Sequence, residues 1–350
     1  MQGRGLIDDG PIVTGFDAIL GQDRPLRILL ALVANAAVPH ALLFTGIDGI
    51  GRATAARALA MALNCARQPG AGCDRCRDCR RIQAGSHPDV WKMAPAGTFF
   101  KISQVRELLA TLAMKPYEAR HRVVILEDAH AMTPAAGNAL LKVLEEPPPR
   151  TVLVLTAPQA SDLLPTIVSR CHHLRFQPLS DARIAALLVE RCQLERADAV
   201  VLAALAGGSP AKALAQHEAA ARWRQRRDWI AAQLDGIQTR STAEILAMAE
   251  FLARDGKEVH ESLELAKSWL RDGIVVRYRP SLAIHQDRID VLQAGAAEKA
   301  AELLRVRQIA HLQRAQAALR ANAPVRLTLE FLLFSLAREA GPAARGGGGP

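Results

Sequence analysis

The sequence predicts an α/β fold in its first half, a parallel sheet joined by crossover helices, and an all-helical second half. Three observations carry this. Short apolar runs alternate with helix-patterned segments up to residue 178. One of those runs passes straight into a glycine-rich loop that opens a helix. After Arg175-Phe-Gln-Pro178 no strand pattern recurs.

Taken in order, residues 40–45 (His-Ala-Leu-Leu-Phe-Thr) read as a buried strand, and residues 52–64 place Ala, Leu and Met at helical spacing. Residues 123–126 form a second strand, entered from polar Arg120, His121 and Arg122. A strong helix over 135–146 is stopped by Pro147, Pro148 and Pro149, and residues 151–156, rich in Val and Leu, form a third strand. From Leu179 onward helices take over. Residues 181–192 and 197–205 are two short ones, and Gly207-Gly208-Ser209-Pro210 interrupts the chain before another that ends near Gln216. Farther on, Val259, Leu263, Ala266 and Leu270 line one face of a longer helix, and residues 296–321 extend another. After a turn at Asn322 to Pro324 comes an apolar final helix, 327–336. Residues 341–350, rich in Gly, Ala and Pro, are expected to be disordered. The division that follows is 1–178, a small helical unit 179–217, a larger helical domain 218–340, and the tail.

At 350 residues the chain has room for two or three domains, and at 50% hydrophobic it is not globally disordered. No apolar run reaches about 18 residues, so no membrane span is expected. Residues 1–15 lack the apolar core of a secretory signal, and the chain is expected in the cytoplasm. The net charge of +9 suits a polyanionic partner such as DNA, but the charges do not form one run. On charge alone, direct contact with nucleic acid stays open.

Gly46-Ile-Asp-Gly-Ile-Gly51 lies between strand and helix, where backbone N–H groups converge on a phosphate at a helix N-terminus. The full pattern continues with Lys and then Ser or Thr, whereas this chain has Arg52 and Ala53. Arginine keeps the charge but brings a wide planar group into a slot shaped for an ammonium. Alanine offers Mg²⁺ no oxygen. Thr54 stands one residue out of register and would point elsewhere. The strand over 123–126 runs into Glu127-Asp128, the reverse of the Asp-Glu order an active site uses for Mg²⁺ and the attacking water. Gly46, Gly49, Gly51, Arg52, Thr54, Glu127, Asp128 and Thr156 are the candidate cofactor-binding residues of this altered site, and ATP or ADP binding there is doubtful.

Four of the six cysteines crowd into fifteen residues: Cys65, Cys73, Cys76 and Cys79. The spacing favours a metal over disulfides, and four thiolates close a tetrahedral zinc site that would staple the insertion after the first helix. An iron–sulfur cluster is the rival reading. Cys171 and Cys192 lie far off and are expected as buried thiols.

In combination, the strand ending Thr45-Gly46, the four-cysteine module, Ala139-Leu-Leu-Lys-Val-Leu-Glu-Glu-Pro-Pro148 and Ser169-Arg170-Cys171 resemble bacterial clamp-loader subunits of the AAA-plus superfamily. Leu20-Gly-Gln-Asp23 and Pro39-His-Ala-Leu42 fit the same family. The resemblance implies an AAA-plus domain with a zinc module, a helical lid and an all-α collar. It also implies a hetero-pentamer with tau/gamma and delta subunits that loads a sliding clamp on primed DNA in DNA polymerase III replication. Arg52, Ala53, the Glu127-Asp128 order and Ala211, where a motor subunit would place a lid arginine, depart from the ATP-hydrolysing tau/gamma branch. The chain looks like the delta-prime branch, with little or no ATPase or polymerase activity of its own. On that resemblance Arg170 is an arginine finger reaching a neighbour's ATP site, and the apolar Leu327, Leu329, Phe331, Leu332 and Leu336 help form the collar.

Overall fold

The computed structural model describes residues 15–217, 220–254, 256–295, 299–321 and 323–339. The expectations for the N-terminus before Gly15, for Asn322 and for the tail 341–350 lie outside them. Two compact units emerge, one built from the chain up to Leu179 together with Ser209–Ala211, the other from Ser180–Gly208 and the chain from Lys212 onward.

Among the described residues the first unit holds a five-stranded parallel sheet. In chain order it comprises α1 (Asp23–Ala34), β1 (Ala41–Thr45), α2 (Arg52–Asn64), α3 (Arg77–Gln83), β2 (Val90–Met93) and α4 (Ile102–Leu112). Then follow β3 (Arg122–Leu126), α5 (Pro134–Glu145), β4 (Thr151–Ala157), α6 (Pro165–Val168) and β5 (His172–Arg175). The strand order is β2-β3-β4-β1-β5. Residues of β1, β3 and β4 are buried throughout, because a parallel sheet is covered on both faces. Burial of each such Leu or Val contributes about 1.5–3 kcal/mol. Their pairing is in register, Leu43 beside Leu155 and Leu126 beside Leu155 on the other side. The alanines of α2 let that helix sit close, with Ala55, Ala56, Ala58 and Leu59 all buried. α5 starts where the Thr133 hydroxyl accepts the Ala136 N–H and Pro134 presets the first turn.

Two strands escape the sequence reading. β2 and β5 are four residues each and form the sheet's edges; β5 is mostly polar, and β2 is a short run broken by Lys92. Arg122, read as preceding the second strand, is instead its first residue and is almost wholly buried. Its guanidinium donates to Leu112 O at 3.1 Å and lies 5.2 Å from the Trp91 ring. Asp89, also buried, accepts the N–H groups of Tyr117, Glu118 and Ala119 at 2.8, 2.8 and 2.9 Å, fixing the turn that feeds β3.

The second unit is all-helical among the described residues: α7 (Asp181–Cys192), α8 (Arg196–Leu205), α9 (Pro210–His217, whose first two residues group with the first unit), α10 (Ala220–Asp235) and α11 (Thr242–Ala253). They are followed by α12 (Gly256–Tyr278), α13 (Ile289–Ala294), α14 (Lys299–Arg320) and α15 (Val325–Glu339). The face marked by Val259, Leu263, Ala266 and Leu270 is buried, as are Leu329, Leu332 and Leu336, whereas Leu327 and Phe331 are exposed. A polar knot sits inside: Asp272 accepts the His285 N–H at 2.7 Å, and His285 Nε2 meets Ser268 Oγ at 3.0 Å. Among the described residues no helix is long and apolar enough to cross a membrane.

Both polar contacts make stability depend on pH. Burial pushes the Asp89 carboxyl up, but the three amides outweigh it and hold it below its ordinary value. Its contribution is therefore present above the unfolded pKa of about 3.9 and lost as pH falls below it. Asp89→Ala should cost about 3 kcal/mol in urea denaturation at pH 7, from amides left buried and unpaired. Burial, helped by the positive charge of Arg227, lowers His285 to about 4. The unfolded state, with a pKa of about 6.5, then binds the extra proton, so stability present above pH 6.5 declines towards pH 4 by roughly 3 kcal/mol. His285→Gln should flatten that part of the stability–pH curve relative to the wild type.

Candidate functional site

The loop after β1 turns on glycines that the geometry requires. Gly49 has φ +73°, and a Cβ there would overlap Ser209 Oγ and lie 2.8 Å from Ala211 Cβ. Gly46 is pressed against the backbone, with room for a Cβ only 2.8 Å from Phe176 O. Its N–H donates to Ala157 O and Pro158 O, tying the start of the loop to the end of β4. The Ala211 N–H donates to Gly49 O at 3.2 Å.

Around this loop opens a cleft of about 290 Å³ lined by Asp48, Gly49, Gly51, Arg52, Ala53, Thr54, Glu127, Asp128, Thr156 and Ala211. Gly49, Gly51, Arg52, Thr54, Glu127, Asp128 and Thr156, separated by up to about a hundred residues in sequence, are thus brought together, while Gly46 stays at the foot of the loop. Thr54, expected to point elsewhere, lies on the cleft wall in the first turn of α2. The Thr156 hydroxyl accepts the Asp128 N–H at 3.1 Å, and Asp128 holds a left-handed φ of +51°, a conformation rare for a residue other than glycine.

Arg52 and Glu127 in the cleft are each paired within the chain. Arg52 is 6% exposed, and its Nη2 donates to the Asp48 carboxylate four residues earlier. Its Nη1 is buried with no hydrogen-bond partner among the described residues. The Glu127 carboxylate is met by Lys92 Nζ at 3.0 Å. Asp48 and Lys92 were not among the candidate residues read from the sequence. The i, i+4 spacing of Asp48 and Arg52 was a usable signal. Lys92 sits on β2, the strand the apolar pattern does not disclose.

Arg170 is not a cleft residue. It follows α6, one-third exposed, and donates from Nη2 to Glu145 Oε1 at 2.6 Å and from Nη1 to Thr166 O at 3.0 Å and Ser169 Oγ at 3.3 Å. Glu145 is the last residue of α5, so two motifs 25 residues apart meet in one ion pair.

Cys65, Cys73 and Cys76 lie between α2 and α3 and Cys79 in the first turn of α3, all as free thiols, with their sulfurs within 4.8 Å of one another. Four sulfurs about 2.3 Å from a central zinc stand roughly 3.8 Å apart, so the cluster fits a tetrahedral ion with little adjustment. Backbone amides already aim at the sulfurs: Gln68 N–H at Cys65, Cys73 N–H at Cys79, Cys76 N–H at Cys73 and Cys79 N–H at Cys76, at 3.2–3.5 Å. Such donors stabilise thiolate. Bound there, zinc would cross-link the loop without chemistry of its own. Cys171 and Cys192 are half-buried, not fully buried as expected, and burial pushes the Cys171 thiol up to about 12.

Residues 21–180 match the model of a family described as DNA polymerase III, delta subunit. The chain is 37% identical over 170 residues to the DNA polymerase III subunit delta' of Bacillus subtilis, an alignment covering 49% of this chain and 52% of that protein. It is 40% identical over 182 residues to the subunit delta' of Pseudomonas aeruginosa, covering 51% and 56%. It is also 35% identical over 203 residues to the DNA polymerase III subunit gamma/tau of Mycobacterium bovis, covering 56% of this chain and 35% of that one. The chain thus spans about half the length, or less, of these curated relatives.

The cysteine geometry yields a direct test. Purified protein should carry one zinc per chain by elemental analysis. Cys79→Ser should abolish that content and lower the melting midpoint by several degrees. Iron in place of zinc would assign the cluster to the iron–sulfur class.

Proposed function

Residues 21–180 belong to the DNA polymerase III clamp-loader subunits of the AAA-plus superfamily, and on that premise we propose that the chain is a delta-prime-type subunit that lends an arginine to a neighbour's ATP site. The observation that carries the proposal is the contrast between two arginines. Arg52, at its own phosphate loop, is buried and paired with Asp48. Arg170 stands outside that cleft, its guanidinium held by Glu145 and partly open to solvent. A guanidinium offered in trans stabilises the charge that spreads over a transferring phosphoryl group. The chain's own cleft lacks the hydroxyl for Mg²⁺ at Ala53 and the lid arginine at Ala211, and its first carboxylate, Glu127, is taken by Lys92.

In this reading the partners are tau/gamma and delta subunits in a hetero-pentamer, the sliding clamp and primed DNA, the last consistent with the charge of +9. The setting is cytoplasmic. Residues 179–217 serve as a lid, and residues 218–340 as a collar in which exposed Leu327 and Phe331 meet neighbouring subunits. Zinc at Cys65, Cys73, Cys76 and Cys79 is structural. The competing reading is an ATP-hydrolysing tau/gamma-type motor. It draws on the 35% identity to a gamma/tau subunit and on the convergence of Glu127, Asp128 and Thr156 at one cleft.

The deciding experiment reconstitutes the assembly with Arg170→Ala. DNA-stimulated ATP hydrolysis should fall at least about tenfold at the site this chain serves, with assembly intact by gel filtration. Unchanged hydrolysis and clamp loading would reject the role of Arg170. Mg²⁺-dependent turnover by the isolated chain, abolished by Glu127→Gln, would favour the motor reading.

A further inference from the structure

The phosphate loop has kept one strong anion-binding group and supplied its counter-charge from within. Arg52 is 94% buried by its 6% exposure, opens α2 and lines the cleft. One guanidinium nitrogen faces the Asp48 carboxylate, and the other, Nη1, is buried without a partner among the described residues. Burying a guanidinium is costly unless an anion and further acceptors satisfy it. Asp48 does only part of this, from a side chain that is 74% exposed. The first turn of α2, a 13-residue helix, adds its unpaired amides and positive dipole end at the same place. A buried donor still lacking an acceptor, beside a helix N-terminus in a cleft of about 290 Å³, describes an oxyanion site only partly filled.

We propose that Asp48 is an internal anion that holds this loop closed to phosphoryl groups, and that Arg52 is a retained phosphate-binding residue masked by it. The ligand class is a di- or triphosphate, either free pyrophosphate or the tail of a nucleotide. Asp48 acts twice. Its carboxylate occupies one face of the Arg52 fork, and its negative charge repels an incoming polyphosphate from the loop whose backbone would cradle it. The loop is then closed to phosphoryl groups by one exposed carboxylate, not by the exchange of lysine for arginine. This rests on the reading that the chain's own cleft turns over no ATP.

The test is equilibrium binding of ADP and of inorganic pyrophosphate to the full chain by calorimetry, with and without Mg²⁺. Asp48→Asn, close in shape and at an exposed position, should bind both probes about tenfold or more tighter than wild type, the effect of removing one like charge a few ångströms away. Adding Arg52→Ala should cancel the gain, and Asp48→Ser should reproduce it should the amide pair with Arg52 in its turn. Equal gains for both probes assign recognition to the phosphoryl groups alone, and a gain for ADP only assigns it to the nucleotide. Either supports the masking. Binding unchanged in both Asp48 variants, or a gain that survives loss of Arg52, overturns it. ATP turnover by the wild-type chain is measured alongside, because turnover would instead defeat the reading of a silent cleft.

Discussion

Five strands that all run in one direction deliver their carboxyl ends to a single edge of the sheet, and the candidate chemistry is gathered by that constraint. β1 ends in the glycine loop, β3 in Glu127 and Asp128, and β4 carries Thr156 near its end, so groups far apart in sequence share one cleft with no element dedicated to collecting them, while β2 supplies Lys92 to pair with Glu127. Ligands in open parallel sheets bind at this edge for the same reason. The buried polar contacts serve the arrangement. Asp89 and Arg122 fix the entry of β3, and a slip of that strand by one residue would turn its side chains over and remove both carboxylates from the cleft.

The sequence discloses the parts of the molecule in which local pattern and global burial agree. β1, β3 and β4 are apolar because both their faces are covered, and α2, α7 and the end of α5 carry their own boundaries in alanine spacing, capping residues and prolines. β2 and β5 are not legible. β5 needs a single inward residue, Leu174, and the rest of it is histidine and arginine, whereas β2, four residues broken by Lys92, is too short a run to stand out. Arg122 breaks the expectation in the other direction, as a charge made tolerable inside by a carbonyl, an aromatic face and a nearby carboxylate, which no linear pattern announces.

The site was legible as a list of residues and not as a set of contacts. The glycines, Arg52, the carboxylates and the four cysteines stand out by type and spacing. Their counter-charges do not: Asp48 looks like any loop acid, Lys92 lies on the unseen strand, and Glu145 looks like part of a helix terminus. The difference matters because an ionic group's behaviour depends on its partner. An arginine with a carboxylate four residues away and an arginine held at the surface by another helix are the same residue in the sequence and opposite devices in the fold.

The polar make-up of β5 has an effect that reaches past one molecule. An outer strand normally offers a row of unpaired backbone donors and acceptors to any passing chain, and His172, His173 and Arg175 along this one make it a poor template. Copies of this protein are thereby discouraged from zippering edge to edge, the route by which parallel sheets most readily aggregate. Association must then be decided by side chains, where a change of one residue alters the choice of companion and leaves the sheet intact.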